Sequence, residues 1–232
     1  MAPPCWTTKN MKSYITLNTA SEFLCLAISF FCLYREKDKV WKSFILFLFL
    51  TTFTEVAGIY MRKALHWPNF MLYNVFLVVE CSMLNYFFYH LFRTDHKMRK
   101  LLTAGFVVFL LYYFIELSVK HFSAFASASA TLESVEFILA SIYYYYRLLK
   151  EEKYRQLSKD PSFWWVNGTI CFYFAGVACN IFFSYLMLPD KTPIAYSARY
   201  IVFSIINVIL YSCWSYSFIC RYLQRTSSSS SV

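Results

Sequence analysis

The sequence predicts an all-α polytopic membrane protein: a seven-transmembrane helix bundle with its N-terminus outside and its C-terminus cytoplasmic. Three observations predict it. Of the 232 residues, 59% are hydrophobic and only 15% are charged, whereas a soluble domain carries about 25% charged residues. The charges collect in short gaps between long apolar segments, the pattern of a chain that crosses a bilayer repeatedly. Lysine and arginine are unevenly shared: about two-thirds of the 22 fall in the gaps after the first, third and fifth segments and in the C-terminal tail. By the positive-inside rule that side is cytoplasmic.

Residues 1–13 are polar and Pro-containing, lack the pattern of a cleavable signal peptide, and are read as an extracytoplasmic tail. Helix one covers 14–34 and stops at the charged run Arg35-Glu36-Lys37-Asp38-Lys39. Helix two covers 41–61, and the loop 62–69 leads to helix three, 70–92, with Pro68 fitting a helix start. Helix four covers 101–119. Helix five, 123–149, opens with a run of Ser and Ala that lets a neighbouring helix approach closely. Helix six covers 163–188, Pro189 to Pro193 form a turn, and helix seven covers 195–221. Residues 222–232, rich in Ser, read as a disordered tail. Trp41, Trp164 and Trp165 fall at the predicted inner interface and Trp67 at the outer one, where amphipathic rings belong.

Six glutamates lie inside these helices: Glu22, Glu55, Glu80, Glu116, Glu133 and Glu136. An ionised acid at mid-membrane costs roughly 2.5–3.5 kcal/mol on insertion scales, so these groups are protonated, paired or facing a wet cavity. Alternating helix direction puts all six in the outer half or at the midplane, Glu22 for instance roughly 12 Å below the outer end of helix one. Helical spacing gives each a polar neighbourhood. Asn18, Glu22, Cys25, Ser29 and Cys32 share a stripe, as do Thr51, Glu55 and Gly58, and Ser129, Glu133 and Glu136. Helix six offers Thr169, Tyr173, Gly176, Asn180 and Ser184; helix seven offers Tyr200, Ser204, Asn207, Tyr211 and Trp214. Such stripes face a bundle interior, because lipid cannot satisfy them. The candidate ligand-binding or proton-carrying set is therefore Glu22, Glu55, Tyr73, Asn74, Glu80, Glu133, Glu136, Asn180, Arg199 and Asn207. Arg199 is the basic residue near this depth and the candidate counter-charge; Glu116, near the interface, reads as solvated.

Several chemistries lack their residues. The eight cysteines form no C-x-x-C pair, and the four histidines are split between the two sides, so neither a metal nor a dithiol site is expected. Helix seven has no Lys for a retinal Schiff base. There is no H-E-x-x-H, G-x-S-x-G or phosphate loop, and no nucleophile stands beside the acids. No cofactor is expected, and an enzyme is disfavoured. The net charge of +9 orients helices rather than binding nucleic acid.

Asn69-Phe70-Met71-Leu72-Tyr73-Asn74 followed by Glu80 resembles a stretch of an uncharacterised group of seven-helix integral membrane proteins common in Bacteroidota. Thr54-Glu55 and the segment Asp160-Pro161-Ser162-Phe163-Trp164-Trp165-Val166-Asn167-Gly168, followed by Phe172-Tyr173-Phe174, are similar as well. The resemblance implies a multi-pass bacterial inner (plasma) membrane protein and supplies no substrate or catalytic residue. Three roles fit: a sensory or receptor-like protein binding a small ligand in a polar pocket of the outer half, a solute or proton-coupled transporter using the glutamates, and a structural or assembly subunit in which they only join helices. The partners implied are the lipid bilayer, a small-molecule ligand, and a cytoplasmic protein at the basic loops.

Overall fold

A computed structural model describes residues 16–151, 156–181 and 198–229. Within them the chain is all helical: α1 Leu17–Leu33, α2 Lys39–Tyr60 continued by a π-helical turn Met61–Leu65, α3 Phe70–Leu91, α4 His96–Val119, α5 Ser127–Lys150, α6 Pro161–Ile181 and α7 Ala198–Ser229. Four helical stretches, Lys39–Leu65, Phe70–Leu91, His96–Val119 and Ile201–Ser227, are long and apolar enough to cross a membrane, and α1 is a shorter apolar helix. α5 falls short of that measure because Ser, Thr and two Glu fill its first half. Outward-facing positions are apolar: Phe31, Phe53, Leu111, Phe114 and Leu139 are all more than half exposed, a surface suited to lipid rather than water. The tail 1–13, the end of helix six, the Pro189–Pro193 turn and the start of helix seven lie outside the described residues.

Each helix packs on its neighbours in sequence and α7 packs back on α1, so the seven close a ring, with α3 also touching α5. One end carries most of the basic residues and is called here the basic end. Near it the ring is filled by aromatic side chains. Trp165 and Trp214 stack with ring centroids 5.7 Å apart, Phe87 sits 4.1 Å from Trp165, and Phe44, Phe88 and Phe218 complete the cluster. Trp165 is fully buried and Trp41 nearly so, both turned into the bundle rather than outward. Both are held edge-on or tilted by core phenylalanines, and this burial removes more apolar area from solvent than an interfacial site would.

The helix starts at the basic end share one device. Asp38 accepts the Val40 N–H at 2.9 Å to open α2, Asp95 accepts the Lys97 and Met98 N–H groups at 3.1 Å to open α4, and Asp160 accepts the Ser162 N–H at 3.0 Å to open α6. Each carboxylate satisfies an orphan donor and complements the helix dipole. α1 opens with a reciprocal capping box between Thr16 and Thr19.

α7 runs to Ser229, past the end expected at 221, because its last turns are anchored. Arg221 makes a two-pronged contact with Glu36, Nε at 3.1 Å and Nη2 at 3.3 Å, and Arg225 lies 3.7 Å from the same carboxylate. Asp38 adds His90 at 3.2 Å and Arg221 at 3.8 Å. Burial pushes the Glu36 carboxyl up, but the Arg221 guanidinium and the N–H groups of Asp38 and Lys37 outweigh it and hold the group below its ordinary 4.5. A carboxyl whose folded value is depressed stabilises the fold above its unfolded value and loses that contribution as pH falls through the folded one. The detergent-solubilised protein is therefore expected to lose melting temperature as pH drops below about 4.5. Glu36→Gln should flatten that acid limb and cost roughly 2–3 kcal/mol at neutral pH; identical acid limbs in the two proteins would refute the anchoring.

Candidate functional site

Toward the end opposite the basic one, the aromatic filling gives way to a belt of carboxyls and tyrosine hydroxyls, in two groups. In the first, Tyr73 of α3 donates its hydroxyl to Glu55 Oε2 of α2 at 2.9 Å. Gly58 makes this reach possible, since a Cβ there would lie 2.7 Å from Tyr73 Oη. Glu22 of α1, 5% exposed, faces the Tyr211 hydroxyl of α7 and lies within electrostatic range of Glu55.

The second group is centred on α3, α5 and α6. Tyr173 donates to Glu80 Oε1 at 2.7 Å. Glu133, 1% exposed, is one of the largest fully buried side chains among the described residues, and it lies within electrostatic range of the Glu80 and Glu136 carboxyls. Glu136 points toward the Asn85 amide and fills the space left by Gly105 of α4, where a Cβ would meet its Oε1 at 2.7 Å. Asn85 donates to Cys81 Sγ at 3.6 Å. Tyr211 joins the two groups, being within electrostatic range of Glu22, Glu55 and Glu80 together.

The belt is rich in acceptors and poor in donors. Glu22 Oε2, Glu133 Oε1, Glu136 Oε1, Asn85 Oδ1 and Asn18 Oδ1 are buried with no hydrogen-bond donor among the described residues. Arg62 lies within range of Tyr73 at the rim. Among the described residues no Lys, Arg or His pairs with Glu22, Glu80, Glu133 or Glu136. No cluster of His, Cys, Asp and Glu suited to a metal ion occurs among the described residues.

Six of the ten residues singled out from sequence thus meet in the belt: Glu22, Glu55, Tyr73, Glu80, Glu133 and Glu136. Asn74 does not serve it. Its Oδ1 accepts the Ala126 N–H at 2.9 Å, its Nδ2 donates to the Ala124 carbonyl at 3.1 Å, and its own carbonyl accepts the Tyr113 hydroxyl at 2.9 Å. It clamps the connection between α4 and α5. Asn207 donates to the Phe203 carbonyl of its own helix at 2.9 Å. The side chains of Asn180 and Arg199 lie outside the described residues.

Glu116, expected to be solvated, is 8% exposed. Its carboxylate accepts the Ala128 N–H at 3.1 Å, the Ser129 N–H at 2.7 Å, the Ser129 hydroxyl at 2.5 Å and Lys120 Nζ at 2.7 Å. It caps α5 from a neighbouring helix, so the helix start shields it from water. Tyr173 and Tyr211 are belt members that the sequence placed on polar stripes without assigning them to the site. A large open cavity, about 750 Å³, lies elsewhere, at the basic end, between Asp38, Trp41, His90, Arg93, Lys159 and Arg221.

Compared with known proteins, the chain matches no family model, no curated protein and no solved structure.

Proposed function

We propose that this chain is a receptor-like inner (plasma) membrane protein that spans the bilayer seven times, N-terminus outside and C-terminus cytoplasmic, and binds a small ligand at the carboxyl belt. The observation that carries the reading is the set of buried acceptors without donors among the described residues, Glu22 Oε2, Glu133 Oε1 and Glu136 Oε1 among them. An apolar environment makes each such group expensive, about 1–3 kcal/mol, so a donor-bearing ligand has much to gain there. Five carboxyls, with no Lys, Arg or His paired to Glu22, Glu80, Glu133 or Glu136 among the described residues, favour a small protonated amine over an anion. With the basic end cytoplasmic, the belt lies in the outer half and the Trp165–Trp214 cluster separates it from the cytoplasm. That arrangement suits binding from one side, with a partner protein reading the basic loops. The bacterial setting rests on the resemblance of the stretches around Glu55, Glu80 and Trp165.

A proton-coupled transporter is the second reading. It is favoured by Tyr211, which lies within electrostatic range of carboxyls of both groups, Glu22, Glu55 and Glu80. It requires the aromatic cluster to open, which receptor-like binding does not.

Native mass spectrometry of the gently solubilised protein separates these. The expected result is a bound small mass in the wild type that Glu80→Gln with Glu133→Gln removes, with no proton flux in liposomes. Proton or solute flux that both substitutions stop would replace binding by transport. A bare protein in every sample, with melting lowered by the two substitutions, would leave the glutamates a purely structural role.

A further inference from the structure

A second feature lies on the outside of the ring, between the basic ends of α3 and α4. Tyr89, His96, Arg99, Lys100, Thr103, Ala104, Val107 and Val108 line a surface groove of about 720 Å³. Its polar end is cationic and its remainder is apolar. Arg99 is held in place: its guanidinium stacks on the Tyr89 ring at 3.9 Å from the centroid and donates to the Tyr89 hydroxyl. Yet its Nε is buried and has no acceptor among the described residues.

Three other cations at this end are occupied. Arg221 and Arg225 pair with Glu36, and Arg147 donates to Thr94 at 3.3 Å. The nearest acid in sequence, Asp95, is taken by the Tyr143 hydroxyl at 2.5 Å and by two backbone N–H groups. Arg99 and Lys100 thus form no ion pair among the described residues.

From Arg99 to Val108 the helix descends roughly 13 Å at 1.5 Å per residue, close to the half-thickness of about 15 Å of a bilayer's hydrocarbon core. Ala104, with a small side chain between the larger Lys100 and Val108, gives the groove its floor. A cationic head above an apolar trough one leaflet deep matches a single kind of occupant.

We propose that this groove binds an anionic phospholipid of the leaflet at the basic end, its phosphate on Arg99 and Lys100 and one acyl chain along Ala104, Val107 and Val108. Guanidinium suits a phosphodiester because two parallel N–H donors match two phosphate oxygens. Beyond the bond to the Tyr89 hydroxyl, the terminal N–H groups of Arg99 have no acceptor among the described residues and remain for that contact. The groove is independent of the carboxyl belt, so the proposal stands on the membrane reading alone.

The test is lipid retention. Protein reconstituted in nanodiscs of equal phosphatidylglycerol and phosphatidylcholine is extracted in mild detergent and weighed by native mass spectrometry. The wild type should keep phosphatidylglycerol over phosphatidylcholine by about tenfold, as two basic groups near the surface allow. Arg99→Gln with Lys100→Gln should bring the ratio near one. Arg93→Gln with Lys97→Gln removes the same charge outside the groove and should leave the ratio high; an equal loss there would reduce the effect to general surface charge and overturn the site. Val108→Trp fills the trough at a position more than half exposed, without touching the charges, and should weaken retention too. Glycerol 3-phosphate at millimolar concentration should not displace the lipid; displacement would show that the headgroup alone is bound and that the apolar trough has no part.

Discussion

Glu116→Ala is expected to destabilise the protein by about 3 kcal/mol or more, among the largest losses from any single polar substitution in this chain. The carboxylate holds two backbone N–H groups at the start of α5, the Ser129 hydroxyl and the Lys120 ammonium. Deleting it leaves buried donors unpaired and a cation without its partner, each a penalty of about 1–3 kcal/mol. The corner it closes is already strained. His121 and Phe122 both adopt left-handed backbone angles, φ 48° and 57°, which bulky residues tolerate only where their surroundings hold them. Glu116 on one side and Asn74 on the other supply that hold. Thermal melting in mild detergent should show the loss, and hydrogen exchange should show Ala128 and Ser129 losing protection first. Glu116→Gln keeps an acceptor and loses the charge, so it should fall between the two. Because Asn74→Ala opens the same corner, the double variant should cost less than the sum. An unchanged melting point would return Glu116 to the solvated place that its sequence position suggests.

The contrast between Glu116 and the belt shows what the sequence could carry. Hydropathy marked seven helical segments, and the described residues hold seven long helices, because apolar runs and charged gaps are properties of local sequence. The stripes located the belt, because period 3.6 sets which side chains share a face. What periodicity cannot give is the partner across the gap. Glu116 caps a helix that begins well after it in the chain, and nothing in the spacing from Glu116 to Ser129 marks that contact. Asn74 reads as a pocket residue beside Tyr73, yet its amide closes a turn some fifty residues on. Trp165 reads as an interfacial ring beside Trp164; only packing against Trp214 and Phe87 takes one inward while its neighbour stays half-exposed. The caps Asp38, Asp95 and Asp160 are legible in the sequence as aspartates in the polar gaps between apolar segments. Each directly precedes an observed helix start, the position where an aspartate accepts the first free N–H groups.

Glu133→Leu should do the opposite of Glu116→Ala: raise stability by roughly 1–2 kcal/mol while removing the ligand mass from the belt. Both glutamates are buried, Glu116 at 8% and Glu133 at 1% exposure, and their surroundings set the sign. Glu116 accepts four hydrogen bonds. Glu133 Oε1 has no donor among the described residues, and the groups within its electrostatic range are two further carboxyls. A leucine of similar volume removes an unsatisfied polar group and keeps the packing against the core, the case in which replacing buried polarity stabilises. If glutamates at this depth served only to join helices, Glu133 would be tied to a neighbour as Glu116 is, and its loss would lower the melting point. The measurement is therefore paired, melting temperature beside native mass, on one variant. A higher melting point with the ligand mass gone marks Glu133 as a group held at the expense of stability for binding. A melting point lowered by a similar amount would mean that a donor reaches Glu133 in the membrane, and that this part of the belt is a joint between α3 and α5.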